Sequence, residues 1–226
     1  MHIGLIPDGN RRWAKKHSLS TEQLMEHWFK NMFEKTLLKF TSTNIGQLLT
    51  EYSELKDVTE LSLYVLSVDN LNRKDKSYET VYNFLNKLTN AIQTNQSTLT
   101  LAHTLKLNVI GQLHLLPKYI QTKITHLTTK VFTGNHFTIN LALAYDPIKD
   151  MQLLTNPIIR NPNPRNQSPI DLVIRTSGEQ RSSGFFPYHT LYSEWYYSQK
   201  LFPDFTLDDL AKAVKDFNKR NRRFGK

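Results

Sequence analysis

The chain of 226 residues contains no cysteine. That excludes disulfides and thiolate metal sites and leaves a cytosolic compartment as the default expectation. No apolar run reaches the ~18 residues of a membrane-spanning helix, and no signal-peptide pattern precedes the first strand-like residues. Acidic residues are in the minority: 20 Asp and Glu stand against 29 Lys and Arg, a net charge of +9. That balance suits nucleic acid, an anionic membrane surface or phosphorylated small molecules. Basic residues crowd the end of the chain, at Lys215, Lys219, Arg220, Arg222, Arg223 and Lys226. The apolar share, 39%, is modest, yet a chain this long buries one full α/β core.

What is there alternates between strand-like and helix-like stretches. Strands are expected at 2–6, 60–67, 105–110, 136–145, 170–175 and 194–198, because these runs are apolar and β-branched or aromatic. Helical spacing predicts helices over 11–16, 21–40 (with Ser20 as cap), 43–56, 78–92, 115–131 and 207–220. The stretch 68–77, VDNLNRKDKS, reads as a mobile loop, and 161–168, NPNPRNQS, as a second loop. The alternation predicts an α/β fold: a single domain over 1–226, a central mostly parallel six-stranded sheet, and helices on both faces.

Two stretches carry the chemistry. The first is HIGLIPDGNRRWAKK, residues 2–16. A strand, a tight polar turn and a helix start present free N–H groups to one place. Arg11 and Arg12 stand ready to close on a phosphate. Asp8 would repel that phosphate unless a divalent cation lay between them, so Asp8 is a candidate Mg²⁺ ligand. The plain alternative is a βα turn with a solvated Asp. The second stretch is DLVIRTSGEQRSSGFFPYHTLYSEWYYSQKLFPD, residues 171–204. Its first strand ends on Arg175, and ligands gather at the carboxyl ends of parallel strands. Asp8, Arg175, Arg181 and Ser183 are therefore expected to converge.

Together these stretches resemble the motifs of the cis-prenyltransferase, or undecaprenyl diphosphate synthase, family. The family's first motif is roughly HxxxxMDGNxRWAxxxG and its last roughly DLxIRTxGExRxSNFxxWxxxYxExxFxxxxWPDF. The resemblance covers essentially the whole chain. It implies a Mg²⁺-dependent transferase that condenses isopentenyl diphosphate with an allylic diphosphate to give a cis prenyl or polyprenyl diphosphate. It implies a homodimer, and membrane association only at the periphery, through a lipid product; nucleic acid is not an expected partner. The fold it implies is an undecaprenyl diphosphate synthase-like sheet with a hydrophobic tunnel beside it.

Site roles are carried over by resemblance. Gly9, Asn10, Arg11 and Arg12 would hold the allylic diphosphate. Trp13 reads chiefly as packing although it enters the binding set, and His27 lies near the family's GH position. Arg175, Arg181 and Ser183 would hold isopentenyl diphosphate. Ser67, Asn70 and Arg73 match the FSSENWNRP motif, with Asn70 assisting the chemistry beside Asp8. Glu194 would help hold Mg²⁺, and Arg223 belongs to a C-terminal RxG motif that reaches the partner's site in a dimer.

Departures are plain. Leu66, Asp69, Leu71 and Lys74 replace Phe, Glu, Trp and Pro of that loop motif, and Tyr145-Asp146-Pro147 stands where the family has NYGGR. Such changes resemble members that couple two dimethylallyl diphosphates head to middle, giving lavandulyl-type products. Irregular coupling is therefore an alternative, as is a non-catalytic subunit of a prenyltransferase.

Overall fold

The computed structural model describes residues 1–20, 23, 24, 27, 51–73, 78–94, 104–155 and 168–223. The expected loop at 161–168, apart from Ser168, and most of the expected helices over 21–40 and 43–56 lie outside these residues.

Six strands form one parallel sheet: β1 (His2–Ile6), β2 (Glu60–Ser67), β3 (Leu105–Ile110), β4 (Phe137–Tyr145), β5 (Leu172–Arg175) and β6 (Glu194–Tyr197), in the order β3-β4-β2-β1-β5-β6. Every pairing is parallel. β1 and β5 are buried at every position, which is why their sequences run apolar on both faces instead of alternating. The chain builds outward from β1 on one side, then crosses to β5 on the other. β1 is thus the switch point, where open α/β sheets keep their ligand crevice.

The helices of the described residues are α1 (Asn10–Lys16), α2 (Val68–Leu71), α3 (Tyr78–Thr94), α4 (Lys118–His126), α5 (Pro147–Thr155) and α6 (Leu207–Phe217). The larger core lies on the face covered by α3, α4 and α6, through Leu85, Ile120, Ile124, Ala211 and Val214. On the opposite face Phe185, Phe186 and Tyr145 make a smaller cluster. Gly4 is obligatory there, because a Cβ would stand 2.6 Å from the Phe185 ring.

Three expectations are corrected. The stretch after β2 is not loop throughout: Ser67 and Asn70 cap each other reciprocally and wind 68–71 into α2. α4 stops at His126 and passes into a π turn, Leu127–Val131. α5 went unforeseen; Asp146 accepts from the N–H groups of Ile148 and Lys149, and Pro147 occupies its first turn. Ser20 does cap, with Gln23 returning the bond.

The end of the sheet away from the strand C-termini holds a buried polar cluster. His2 Nδ1 lies 2.9 Å from the Ser168 carbonyl, and Nε2 lies 2.8 Å from Ser62 Oγ. A carbonyl only accepts, so Nδ1 carries the proton and Nε2 accepts from the hydroxyl. Burial drives the His2 pKa below its ordinary value, against the pull of Glu60 and Asp171.

Candidate active site

The carboxyl ends of β1, β2 and β5 surround a polar cleft of about 520 Å³. β1 runs out at Pro7-Asp8, and Gly9 follows in the left-handed region at φ 100°. An added Cβ at Gly9 would sit 2.8 Å from Leu201 Cδ2, so both conformation and space demand glycine. Asn10 Nδ2 donates to the Pro7 carbonyl at 2.8 Å and closes the turn. The Asp8 carbonyl accepts from Thr176 Oγ1 at 2.7 Å and from the Phe202 N–H at 3.0 Å. The β1 turn is thereby fastened to the β5 turn.

Arg175, the last residue of β5, is only 3% exposed. Its Nη2 donates to Asp8 Oδ2 at 2.8 Å, and its Nη1 donates to Ser183 Oγ at 2.8 Å and to the Arg181 carbonyl. Arg12 reaches Ser177 Oγ at 2.6 Å, Asp8 at 3.6 Å and Glu179 at 3.4 Å. Arg181 pairs with Glu179. Burial opposes ionisation of Asp8, but the bond from Arg175, the Gly9 N–H and the charges of Arg175 and Arg12 outweigh it and lower its pKa.

On the β2 side, Ser67 and Asn70 hold each other, and Asp69 and Arg73 complete the wall. Five arginines (11, 12, 73, 175 and 181) face two aspartates (8 and 69) around the cleft. That excess attracts a polyanion, and guanidinium forks match phosphate oxygens.

A second, apolar cavity of about 190 Å³ continues from the first between the sheet and α3. Pro7, Asn10, Arg11, Tyr64 and Val65 line both. Leu63, Val81, Phe84, Leu88, Phe132 and Leu141 carry it away from the charged rim. A cationic mouth opening on a greasy channel fits an anionic headgroup with a hydrocarbon tail.

The sequence-predicted residues Asp8, Gly9, Asn10, Arg11, Arg12, Ser67, Asn70, Arg73, Arg175, Arg181 and Ser183 all line the polar cleft. Trp13 does not. It is buried, donates from Nε1 to Asp204 at 2.7 Å, and anchors α1. His27 packs on the Trp13 ring at 4.4 Å, outside both linings. The Gly9 N–H, expected to be offered to phosphate, is taken by Asp8 Oδ1 at 2.6 Å.

Glu194 requires a correction. It opens β6 and pairs in register with Leu172, three residues before Arg175. At ~3.3 Å per residue it lies about 10 Å below the level of Arg175, toward the far edge of the sheet. There it binds Arg220 at 3.0 Å. Within one chain it shares no ion with Asp8. Arg223 is exposed and follows Arg222, which is tied to Asp171 at 3.0 Å on that same far edge.

A Mg²⁺ ion fits this donor set only in part. Among the described residues no three His, Asp or Glu side chains cluster as a metal cage. Asp8 and Asp69 are the carboxylates among the residues lining the cleft, and Asp8 beside the arginines suffices for an ion that completes its shell with phosphate oxygens and water. Tyr64, at the junction of the two cavities, escaped the sequence reading. Its place inside a strand hid it.

The family model described as undecaprenyl diphosphate synthase matches residues 6–225. The chain belongs to this prenyltransferase family. It is 30% identical over 251 residues to an isoprenyl transferase of Streptococcus agalactiae, covering 99% of this chain and 92% of that one. It is 29% identical over 238 residues to the isoprenyl transferase of Rickettsia typhi, covering 100% and 97%. Among solved structures, lavandulyl diphosphate synthase from Lavandula x intermedia in complex with dimethylallyl diphosphate superposes with a TM-score of 0.71 at 25% identity, covering 100% of this chain and 98% of that one. A probable undecaprenyl diphosphate synthase from Campylobacter jejuni shares the fold, with a TM-score of 0.69 at 24% identity over 100% and 98% of the two chains.

Proposed function

We propose that this prenyltransferase joins an allylic prenyl diphosphate to isopentenyl diphosphate, with Mg²⁺, and releases a cis-linked prenyl diphosphate. The observation that carries the reading is the joining of the arginine-lined cleft to the apolar cavity at Asn10, Arg11 and Tyr64.

Arg11, Arg12 and Asn10 hold the allylic diphosphate while its hydrocarbon tail lies along Leu63, Phe84 and Leu141. Arg175, Arg181 and Ser183 hold the diphosphate of isopentenyl diphosphate. The allylic C–O bond breaks and its electron pair leaves with the diphosphate, whose growing charge the guanidinium groups stabilise. The alkene electron pair of isopentenyl diphosphate then forms the new C–C bond at the allylic carbon. A proton leaves the adjacent carbon, with Asn70 and the homoallylic diphosphate positioned near it. Asp8 would hold Mg²⁺, which when bound would supply Lewis-acid neutralisation of the leaving group.

The likeness to a lavandulyl diphosphate synthase supports a second reading, head-to-middle coupling of two dimethylallyl diphosphates. The test is incubation with dimethylallyl, geranyl or farnesyl diphosphate, with and without isopentenyl diphosphate, followed by mass analysis. Products that require isopentenyl diphosphate support the first reading. A ten-carbon product from dimethylallyl diphosphate alone supports the second. No prenyl product under any condition overturns both.

A homodimer is part of the proposal. Ile148, Met151, Leu191 and Tyr192 are large apolar side chains left exposed on α5 and the segment before β6. Light scattering of the purified chain measures its mass directly, and a monomer at micromolar concentration would remove this part.

A further inference from the structure

The turn that carries Ser183 is held in an unfavourable conformation. Ser183 has φ 49°, and Ser177 and Phe186 also have positive φ, at 76° and 40°. Side chains with a Cβ avoid this region, so the surroundings must hold it. Two side chains grip Ser183 itself. Arg175 Nη1 donates to its Oγ at 2.8 Å. Its carbonyl accepts from the hydroxyl of Tyr64 at 3.2 Å.

Tyr64 comes from β2, on the other side of β1 from the turn it grips. Its ring is fixed edge-on against Tyr145, with centroids 5.8 Å apart, and tilted on Phe185 at 5.5 Å. Those contacts leave the phenol little freedom. The same residue lines both the polar cleft and the apolar cavity. One hydroxyl therefore ties the β2 wall, with Ser67, Asn70 and Arg73, to the β5 wall, with Arg175, Arg181 and Ser183. Burial first, and the charge of Asp69 second, raise its pKa to about 12, so the phenol keeps its proton and remains a donor throughout the neutral range.

We propose that Tyr64 is a positioning residue for the diphosphate bound on the β5 side: its hydroxyl holds the Ser183 carbonyl and thereby aims Ser183 Oγ, which Arg175 Nη1 steadies from the other side, at the anion. The identity of that anion as isopentenyl diphosphate rests on the prenyl-transfer reading; the holding geometry does not.

The test is Tyr64→Phe in the full chain, which removes the hydroxyl and keeps the ring packing. With the allylic substrate saturating, the KM for isopentenyl diphosphate rises about fivefold, the size of one neutral hydrogen bond, while kcat changes less. The melting temperature stays close to wild type. In a Ser183→Ala background the same substitution adds nothing, because the group it positions is gone. An unchanged KM in Tyr64→Phe overturns the proposal, and so do fully additive effects in the double variant. If the wild-type chain forms no prenyl product, the functional reading fails by itself. Binding of inorganic pyrophosphate, measured by calorimetry, then carries the test: a weakened Kd in Tyr64→Phe supports the positioning role, and an equal Kd overturns it.

Discussion

Asp8 and Arg175 meet at 2.8 Å although 167 residues separate them in sequence. One ends the first strand's turn and the other ends the fifth strand. The parallel register of β1 with β5, which pairs Ile6 with Arg175, brings them to one rim. The guanidinium is buried, and its Nε has no hydrogen-bond partner. It is held in place by protein partners rather than solvated.

Asp8→Ala removes the only carboxylate we assign to the metal. Turnover falls by at least a hundredfold, while the allylic diphosphate still binds through Arg11 and Arg12 within a few-fold of its wild-type Kd. Steady-state assays and calorimetry read the two separately. Turnover near wild type would count against the metal role.

The Asp8–Arg175 pair also stabilises the fold. Because the Asp8 pKa is lowered, its contribution is fully present above the ordinary carboxylate value of 3.8 and is lost as pH falls through the lower folded value. Asp8→Asn therefore costs about 1–3 kcal/mol at neutral pH, part of what a fully buried pair would. The difference in unfolding free energy between variant and wild type stays flat from about pH 5 to 8 and shrinks only in stronger acid. Denaturant titrations across pH measure it.

Stability should also fall below about pH 6.5 on account of His2. Its folded pKa lies below the ordinary 6.5, so the unfolded chain takes up the proton first and acid favours unfolding. His2→Gln is less stable at pH 8 but has a flatter stability profile between pH 6.5 and 5, as denaturant melts at each pH would register.

Gly9→Ala places a Cβ 2.8 Å from Leu201 at a φ of 100°. The expected loss is about 1–3 kcal/mol from backbone strain alone, and activity falls further because Asp8 and Asn10 flank the displaced residue. Thermal melts and assays on the same preparation test both.

Phe132 is buried, follows the π turn and lines the apolar cavity. Phe132→Ala deepens that cavity and costs about 3–5 kcal/mol of stability. If the tail lies there, mass analysis shows products lengthened by one or more five-carbon units; an unchanged product pattern argues that the tail lies elsewhere.

The strands were legible because a parallel sheet buries both faces, and so stretches such as Ile3–Ile6, Leu141–Ala144 and Leu172–Ile174 run apolar or small without alternation. The convergence of Asp8, Arg175 and Ser183 followed from strand direction alone. Strand direction also sets Glu194 apart from Asp8 within one chain. A residue that opens a parallel strand lies at the far edge from one that closes its neighbour, whatever motif it matches. α5 is marked in the sequence by little more than Asp146-Pro147, a cap and a first-turn proline, because its apolar residues Ile148, Met151 and Leu153 stay exposed. The loop after β2 looked mobile by composition, yet a Ser and an Asn three residues apart suffice to wind a turn. Tyr64 carries no sequence mark, since its partner is a backbone carbonyl 119 residues away.

The union of a guanidinium-lined mouth with a hydrocarbon-lined throat has a practical corollary at the bench. It is the negative image of an anionic surfactant, so sulfate and phosphate detergents with short alkyl chains should lodge in it and mimic the reactant. Solubilising agents chosen to extract a lipid product would then act as competitors, and nonionic ones with bulky sugar heads are the safer company for this enzyme.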